Sequence, residues 1–253
     1  MAGAPRANPG TSMAALLEIA GISKSFSGLK AVQNVSFEVP EGAIVGLIGP
    51  NGAGKTTCFN LIAGVYRPEA GEIRLAGRRI DGWRPDQICR AGLGRTFQLV
   101  KPFAGLTVLE NVVVGALKQC RSVRAAEAIA AQVVEQLGLQ SKCHEPAGSL
   151  TLPDRKRLEV ARALATAPRI LLLDEVMAGL RPTETDRMVG LFKDLNARLG
   201  LTILMIEHVM RAVMALSRQV VVLHHGQVIA TGPPGEVTRD PAVLECYLGE
   251  DAL

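Results

Sequence analysis

The 253-residue sequence lacks any apolar run long enough to cross a membrane as a helix. A spanning helix needs roughly 20 consecutive apolar residues. The strongest runs here, at 170–173, 203–206 and 220–223, have four residues each and stop at polar positions. Yet 48% of the residues are hydrophobic and the mean hydropathy is +0.22. Short runs of this kind are typical of buried strands, so we expect the apolar excess in a core or on a face that contacts a partner.

Aromatic residues are also scarce, at 4% of the chain, and the formal net charge is only +4. The closest approach to a dense basic stretch is the tripeptide at 155–157. Surfaces that bind nucleic acid combine basic clusters with aromatic side chains on which bases stack. Nucleic acid is therefore not expected as a partner.

Paired cysteines are missing as well. None of the five cysteines forms a C-x-x-C pair, and their number is odd. Disulfide frameworks and zinc sites depend on regular cysteine spacing, so neither is expected and a reducing compartment is favoured. The cysteines are scattered at Cys58, Cys89, Cys120, Cys143 and Cys246.

The first 12 residues are mostly small residues, proline and glycine, with one arginine. They lack the apolar segment of about 7–15 residues that a secretory signal needs, and they cannot bury enough surface to become ordered. We therefore expect a disordered leader at 1–13, a single domain over 14–249 and a short tail at 250–253.

Short apolar runs alternate with helical patterns along the rest of the chain. This alternation predicts an α/β protein with a mainly parallel core sheet. The pattern is helical from about 108 to 137, and we expect a helical subdomain at about 99–165 inserted into the core. The predicted strands are 16–22, 35–39, 43–48, 71–75, 170–174, 201–206, 219–223 and 227–231, and the other predicted helices are 55–63, 155–166 and 182–198.

The most informative segment is the glycine-rich stretch 49–57, which matches G-x-x-x-x-G-K-[ST] between a predicted strand and a predicted helix. Glycines let successive backbone N–H groups point at phosphate oxygens, and the helix N-terminus adds partial positive charge. Lys55 is expected to reach the β- and γ-phosphates of a nucleotide, and Thr56 to offer its hydroxyl to Mg²⁺. An empty glycine-rich turn is the alternative, but it gives no reason for the lysine. The expected nucleotide-binding residues of this loop are Gly49, Asn51, Gly52, Ala53, Gly54, Lys55, Thr56 and Thr57.

An acidic pair, Asp174 and Glu175, stands at the end of the predicted strand 170–174. The four apolar residues would deliver Asp174 to the carboxyl edge of the sheet, beside the phosphate loop. Asp174 is expected to hold the magnesium shell, and Glu175 to polarise the attacking water. A solvated loop end is the alternative for an Asp-Glu pair, and the phosphate loop disfavours it.

These two motifs, with Gln98 between them and His208 after a later strand, resemble the ATP-binding subunit of an ABC transporter over residues 16 to 249. The resemblance implies ATP and Mg²⁺ as cofactors and adds a small antiparallel β subdomain to the expected P-loop ATPase fold. It implies that Gln98 contacts the metal, with Thr56 and Asp174, and communicates with the membrane subunit. His208 would contact the γ-phosphate.

The same resemblance assigns catalysis to Glu175, His208 and Lys55. An aromatic residue ahead of the phosphate loop stacks on adenine in this family, and Phe26 matches by position. Because phenylalanine is usually buried in any fold, a plain core position is the alternative for Phe26.

Four further segments, at 28–32, 94–98, 106–112 and 240–249, are similar to one of the paired ATPases in branched-chain amino acid importers. This implies import of branched-chain amino acids or of related amides or organic acids. It also implies a second ABC ATPase in a heterodimer, two membrane permease subunits and, indirectly, a periplasmic solute-binding protein. The chain would then lie peripherally at the cytoplasmic face of the inner membrane.

The chain departs from the family at its signature loop, which usually reads Leu-Ser-Gly-Gly-Gln and here is the segment 150–154. Leu152 and Pro153 replace the glycines, and proline has no N–H to offer a phosphate oxygen. Asp154 would bring a repulsive charge toward the γ-phosphate, while Thr151 and Asp154 resemble a capping box. We therefore expect the two paired ATPases to be asymmetric, with only one of their two ATP sites competent for hydrolysis. Compensation by other loop geometry is the alternative.

Two smaller differences lie nearby: Val176 replaces a proline, and Arg181 stands where many relatives carry an acidic residue. Three other functions are the alternatives. A soluble ABC-type ATPase acting on nucleic acid or ribosomes usually has two ATP-binding domains or long coiled-coil insertions. A small-molecule P-loop kinase would need a basic lid and no switch histidine. A catalytically silent ATP-binding subunit is disfavoured by the intact Glu175.

Overall fold

The computed structural model describes residues 14–98 and 101–248, so the predicted leader 1–13 and tail 250–253 lie outside the described residues. The strands are β1 (Ala15–Phe26), β2 (Leu29–Pro40), β3 (Ile44–Ile48), β4 (Ala70–Leu75), β5 (Arg78–Arg79), β6 (Leu93–Arg95), β7 (Ile170–Asp174), β8 (Thr202–Ile206), β9 (Gln219–His224) and β10 (Gln227–Gly232). The helices are α1 (Lys55–Ile62), α2 (Pro85–Arg90), α3 (Val108–Ala116), α4 (Val123–Gln136), α5 (Leu152–Leu164), α6 (Pro182–Leu199), α7 (Met210–Leu216), α8 (Pro234–Val237) and α9 (Pro241–Leu248).

The core sheet has the strand order β10-β9-β3-β8-β7-β6. Adjacent strands in this sheet run parallel, except that β9 and β10 are antiparallel to each other. Every residue of β3, β7 and β8 is buried, because both faces of this sheet are covered. Along β7, Ile170 and Leu172 face one apolar cluster, whereas Leu171 and Leu173 face the other. The predicted α/β fold with a mainly parallel core sheet is confirmed.

A second sheet, of order β2-β1-β4-β5, is antiparallel throughout. It confirms the small antiparallel β subdomain. β1 runs to Phe26 and is longer than the predicted strand 16–22, because register shifts let it continue its pairing with β2 as far as Phe26 and Leu29. Its polar end at 23–25 has no apolar alternation by which the sequence could have revealed it.

The predicted helical stretch 108–137 contains two helices, α3 and α4. Each has its own N-cap, because the hydroxyls of Thr107 and Ser122 accept hydrogen bonds from the backbone N–H groups of Glu110 and Ala125. α3 packs on α5 so closely that a Cβ at Gly115 would lie 2.3 Å from the carbonyl oxygen of Arg162. Within the described residues, no helix combines the length and the apolar character needed to cross a bilayer.

α5 begins at Leu152, three residues ahead of the prediction. Pro153 lies in its first turn, where a backbone N–H has no intrahelical acceptor and a proline is tolerated. The substitutions in the signature loop therefore do not prevent α5 from forming.

Candidate functional site

The phosphate loop connects β3 to α1 and is shaped by its glycines. Gly49, Gly52 and Gly54 have φ angles of 145°, 77° and 102°, values that side chains disfavour. The loop also passes close to its neighbours: a Cβ at Gly49 would lie 2.0 Å from the carbonyl oxygen of Leu223, and one at Gly54 would lie 2.3 Å from that of Ala31. Gly54 is the N-cap of α1 and brings no side-chain cap. Because the first N–H groups of a helix lack intrahelical acceptors, this end of α1 suits an anion.

Lys55 is 6% exposed and folds back across this loop. Its Nζ donates to the carbonyl oxygens of Gly49 at 2.6 Å and Pro50 at 2.8 Å. The ammonium group therefore lies against the loop, where it would contact a phosphate bound to the backbone N–H groups.

A cavity of about 600 Å³ opens beside the loop. Phe26, at the end of β1, lines it and is 38% exposed, with its ring centroid 5.1 Å from that of Tyr66. A plain core position for Phe26 is therefore wrong. The other predicted residues on the cavity wall are Asn51, Gly52, Ala53, Gly54, Lys55, Thr56, Thr57, Gln98 and Glu175.

The wall also includes Lys30, Gln33 and His225, which were not predicted as site residues. His225 follows β9, and its carbonyl oxygen accepts a hydrogen bond from Nε2 of Gln33 at 2.9 Å. A polar residue directly after a buried strand is the signal by which His225 could have been found, as Asp174 and Glu175 were.

Three predicted residues that are far apart in the sequence meet at Glu175. Its Oε2 accepts a hydrogen bond from Nε2 of Gln98 at 2.7 Å, and its Oε1 lies 2.8 Å from Nε2 of His208. The backbone at Glu175 has a φ of 50°, a conformation that is sparsely populated for residues other than glycine and is typical of functional sites. The carboxylate therefore lies between His208, which follows β8, and Gln98, which follows β6, on the wall of the cavity.

Asp174 lies at the end of β7 and is 2% exposed. Its Oδ2 accepts from Nη2 of Arg95 at 3.1 Å, while its Oδ1 has no hydrogen-bond partner among the described residues. Burial raises the pKa of this carboxyl, and the hydrogen bond and charge of Arg95 oppose that shift. Arg95 was not predicted as a site residue, although it lies within the motif 94–98.

The donor set at this edge suits magnesium. Thr56, Gln98 and Asp174 line one cavity of about 480 Å³, and Mg²⁺ takes oxygen ligands, few of them from protein, and keeps several waters. The buried Oδ1 of Asp174, which no described residue satisfies, is the atom that such a hydrated ion would satisfy.

A cluster of buried charges supports the site from behind. Lys156, on α5, is 5% exposed and its Nζ donates to the backbone carbonyl of Glu175 at 3.0 Å. Burial lowers the pKa of Lys156 and raises that of Glu207 to about 7. Oε1 of Glu207 accepts the backbone N–H of Met177 at 2.9 Å. No sequence signal identified Lys156, because it lies in an ordinary charged stretch of an amphipathic helix.

The structure corrects two expectations about the signature segment. Asp154 is 9% exposed and faces its own chain, where its carboxylate contacts Nζ of Lys142 and, at 3.6 Å, Nη1 of Arg157. Burial would raise the pKa of Asp154, but hydrogen bonds from Lys142 and Thr151 bring it below its ordinary value. The predicted capping box is wrong, since the Thr151 hydroxyl donates to Asp154 at 2.8 Å and caps no backbone N–H. Leu152, which replaces one of the glycines of the family sequence, is 45% exposed.

Comparison with known proteins supplies the family. Residues 32–178 match the family model described as "ABC transporter", and residues 227–252 match the one described as "Branched-chain amino acid ATP-binding cassette transporter". Over 250 residues the chain is 40% identical to the high-affinity branched-chain amino acid transport ATP-binding protein BraF of Pseudomonas aeruginosa, with 93% of this chain and 98% of the relative covered. It is 43% identical to LivG of Salmonella typhimurium, which bears the same description, with the same coverage.

A solved structure of a nucleotide-free ATP-binding cassette from an ABC transporter superimposes with a TM-score of 0.85. It is 30% identical in sequence and covers 92% of this chain and 99% of its own.

Proposed function

This chain belongs to the ABC transporter family as an ATP-hydrolysing subunit, and on that premise we propose that it powers import of branched-chain amino acids, or of related amides or organic acids, through partner permeases. The solute follows from the names of BraF and LivG, to which the chain is 40% and 43% identical. A role on nucleic acid or ribosomes is not favoured, because these relatives are described as transport proteins.

In this proposal, ATP lies in the cavity beside the phosphate loop. The backbone N–H groups of 49–57 and the N-terminus of α1 hold its phosphates, and Lys55 offers its ammonium to the β- and γ-phosphates. Phe26 is exposed on the cavity wall, which supports its stacking on adenine. Such positioning and charge stabilisation account for most of the rate in phosphoryl transfer.

Mg²⁺ would be held by the hydroxyl of Thr56, by Gln98 and, through its water shell, by Asp174. When bound, the ion supplies charge neutralisation to the phosphates. Its site is supported by the shared cavity of these residues and by Oδ1 of Asp174, which has no hydrogen-bond partner within the described ranges.

The observation that carries the proposal is the carboxylate of Glu175, which Gln98 and His208 hold at its two oxygens beside the phosphate loop. A carboxylate fixed there is placed to orient or deprotonate the attacking water. Gln98 would also transmit nucleotide-dependent motion toward the permease, and His208 would contact the γ-phosphate.

We propose that the chain works in a heterodimer with a second ABC ATPase, each ATP lying between the phosphate loop of one subunit and the signature segment of the other. The phosphate loop, Glu175 and His208 of this chain would then form a competent site with the partner's signature. The opposite site would be weak, because Leu152 and Pro153 replace flexible glycines and Pro153 lacks an N–H donor. Asp154 contributes little to this weakness, since Lys142 and Arg157 neutralise it.

An apolar groove on the chain suits the docking of a permease segment. Its cavity of about 290 Å³ is lined by Val65, Phe97 and Val114, which are 51%, 56% and 43% exposed. Phe103 lies beside it at 47% exposure, under the guanidinium of Arg162, which also lines the groove. Contiguous exposed apolar residues mark interaction surfaces. Docking of a permease here would hold the chain at the cytoplasmic face of the inner membrane.

The test begins with purification of the chain from its native membrane together with its bound permeases. The assembly is reconstituted in vesicles with the solute-binding protein, and uptake of labelled leucine is measured. ATP-dependent uptake that is lost with Lys55→Ala supports the proposal. A phosphorylated acceptor instead of free phosphate would indicate a kinase. ATPase activity stimulated by RNA and not by a solute-loaded binding protein would also overturn the transport function.

A further inference from the structure

The side chain of Arg95 connects the phosphate-loop helix to the aspartate at the end of β7. Its Nη1 donates to Oδ1 of Asn60, on α1, at 2.7 Å, and its Nη2 donates to Oδ2 of Asp174 at 3.1 Å. The aromatic rings of Phe59 and Phe97 lie 6.0 and 5.4 Å from its guanidinium carbon. Two hydrogen bonds and two ring contacts thus fix the plane of the guanidinium.

The pair between Arg95 and Asp174 is buried, with side chains that are 10% and 3% exposed. A carboxylate at this depth needs a nearby cation to remain ionised. Lys156 adds positive charge from a distance, but Arg95 makes the direct hydrogen bond. Arg95 therefore places a positive charge directly against Asp174 and fixes the rotation of its carboxylate.

The two oxygens of Asp174 are in different situations. Oδ2 accepts from Arg95, whereas Oδ1 is buried and has no partner in the described part of the chain. Because the guanidinium occupies Oδ2 alone, it does not compete with a hydrated metal ion for Oδ1. Groups that hold a metal-binding carboxylate in this way orient it and raise metal affinity.

We propose that Arg95 is a positioning residue for magnesium, which holds Oδ2 of Asp174 so that Oδ1 faces the ion that accompanies ATP. The inference rests on the proposed nucleotide site and adds to it a residue of β6 that does not itself touch the ion. Asn60 is part of the same device, because it holds the second arm of the guanidinium.

The experiment uses the full chain and the fluorescent nucleotide TNP-ATP. Its binding is measured with EDTA and then over a Mg²⁺ titration, which yields the half-saturating Mg²⁺ concentration. We expect Arg95→Gln to raise that concentration about tenfold or more, while binding in EDTA stays as in the unmodified chain because the phosphate loop is intact. Arg95→Lys keeps the charge but reaches only one of Asn60 and Asp174, so its shift is smaller.

The control is Arg90→Gln, which removes the same charge from an exposed arginine of α2. It should leave the half-saturating Mg²⁺ concentration unchanged. If Arg95→Gln does not fold, Arg95→Lys and Asn60→Ala test the same device, and each is expected to raise the concentration severalfold. Unchanged magnesium dependence in the folded variants overturns the role of Arg95. Failure of the unmodified chain to bind TNP-ATP would instead overturn the proposed function.

Discussion

Nε2 of His208 lies 2.8 Å from Oε1 of Glu175, although the two residues are on different strand ends, after β8 and β7. Parallel neighbours bring these ends to one edge of the sheet. The other oxygen of Glu175 is taken by Gln98 at 2.7 Å. The carboxylate is therefore held in one orientation, and a substitution of Glu175 tests its role in hydrolysis.

Glu175→Gln keeps the size of the side chain but removes the base. In the assembled complex we expect steady-state ATP hydrolysis to fall by about 100-fold or more, while nucleotide binding persists because the phosphate loop is unchanged. Phosphate release and TNP-ATP binding measure the two effects. Asp194→Asn, at an exposed carboxylate of α6, is the control. Near-full hydrolysis by Glu175→Gln would show that the competent site is not the one this chain opens.

The signature segment can be tested in the same background. With Glu175→Gln in place, restoring Leu152→Gly and Pro153→Gly should raise hydrolysis by about tenfold or more, because the opposite site regains its backbone donors. Asp154 is left unchanged, since Lys142 and Arg157 neutralise it. The same double substitution in a chain with an intact Glu175 is the control. Hydrolysis that stays at the level of Glu175→Gln alone would contradict the asymmetric pair.

Gly54→Ala should damage the phosphate loop more than Gly52→Ala. Both positions have positive φ, but a Cβ at Gly54 would lie 2.3 Å from the carbonyl oxygen of Ala31. Apart from its two chain neighbours, no described residue comes within 4 Å of a Cβ at Gly52. Gly52→Ala should lower the free energy of unfolding by about 1–2 kcal/mol through backbone strain alone. Gly54→Ala should lower it further and abolish TNP-ATP binding. Urea denaturation measures the difference, and equal losses would contradict the clash.

Glu207 should make the stability of the chain depend on pH. Burial raises its pKa from 4.5 to about 7 in the folded chain. Between those values the folded state binds more protons than the unfolded state, so the free energy of unfolding falls as pH rises, by about 3 kcal/mol for this group.

Glu207→Gln is neutral at every pH and should remove that part of the slope. Chemical denaturation of both proteins at pH 5 and pH 8 measures it, with Asp194→Asn as the exposed control. An unchanged difference between the two pH values in Glu207→Gln would mean that Glu207 is ionised in the folded chain at pH 5.

The sequence predicted the elements whose signal lies within a few consecutive residues. β3, β7 and β8 are short apolar runs, and the phosphate loop is a local motif, so each was located to within a residue or two. β5, β6 and α2 were not predicted, because two, three and six residues are too few to show a period. The break between α3 and α4 also went unrecognised, since the residues between them continue a helical composition.

The individual members of the site, Lys55, Gln98, Asp174, Glu175 and His208, were identified in the sequence by motif and by family resemblance. Their mutual contacts were not, because a contact across many residues depends on strand order and register. Arg95 lies 79 residues from Asp174 and meets it only because β6 pairs in parallel with β7.

By itself, the sequence determined the curl of the phosphate loop, the buried strands and the chemical types at their ends, because backbone conformation and burial follow from neighbouring side chains. The tertiary structure alone decided which charges neutralise each other. It turned Asp154 inward to Lys142 and held Glu175 between Gln98 and His208. It also paired one oxygen of Asp174 with Arg95 and left the other without a partner in the described part of the chain. Electrostatic pairing depends on distance through space, which only the packed chain defines.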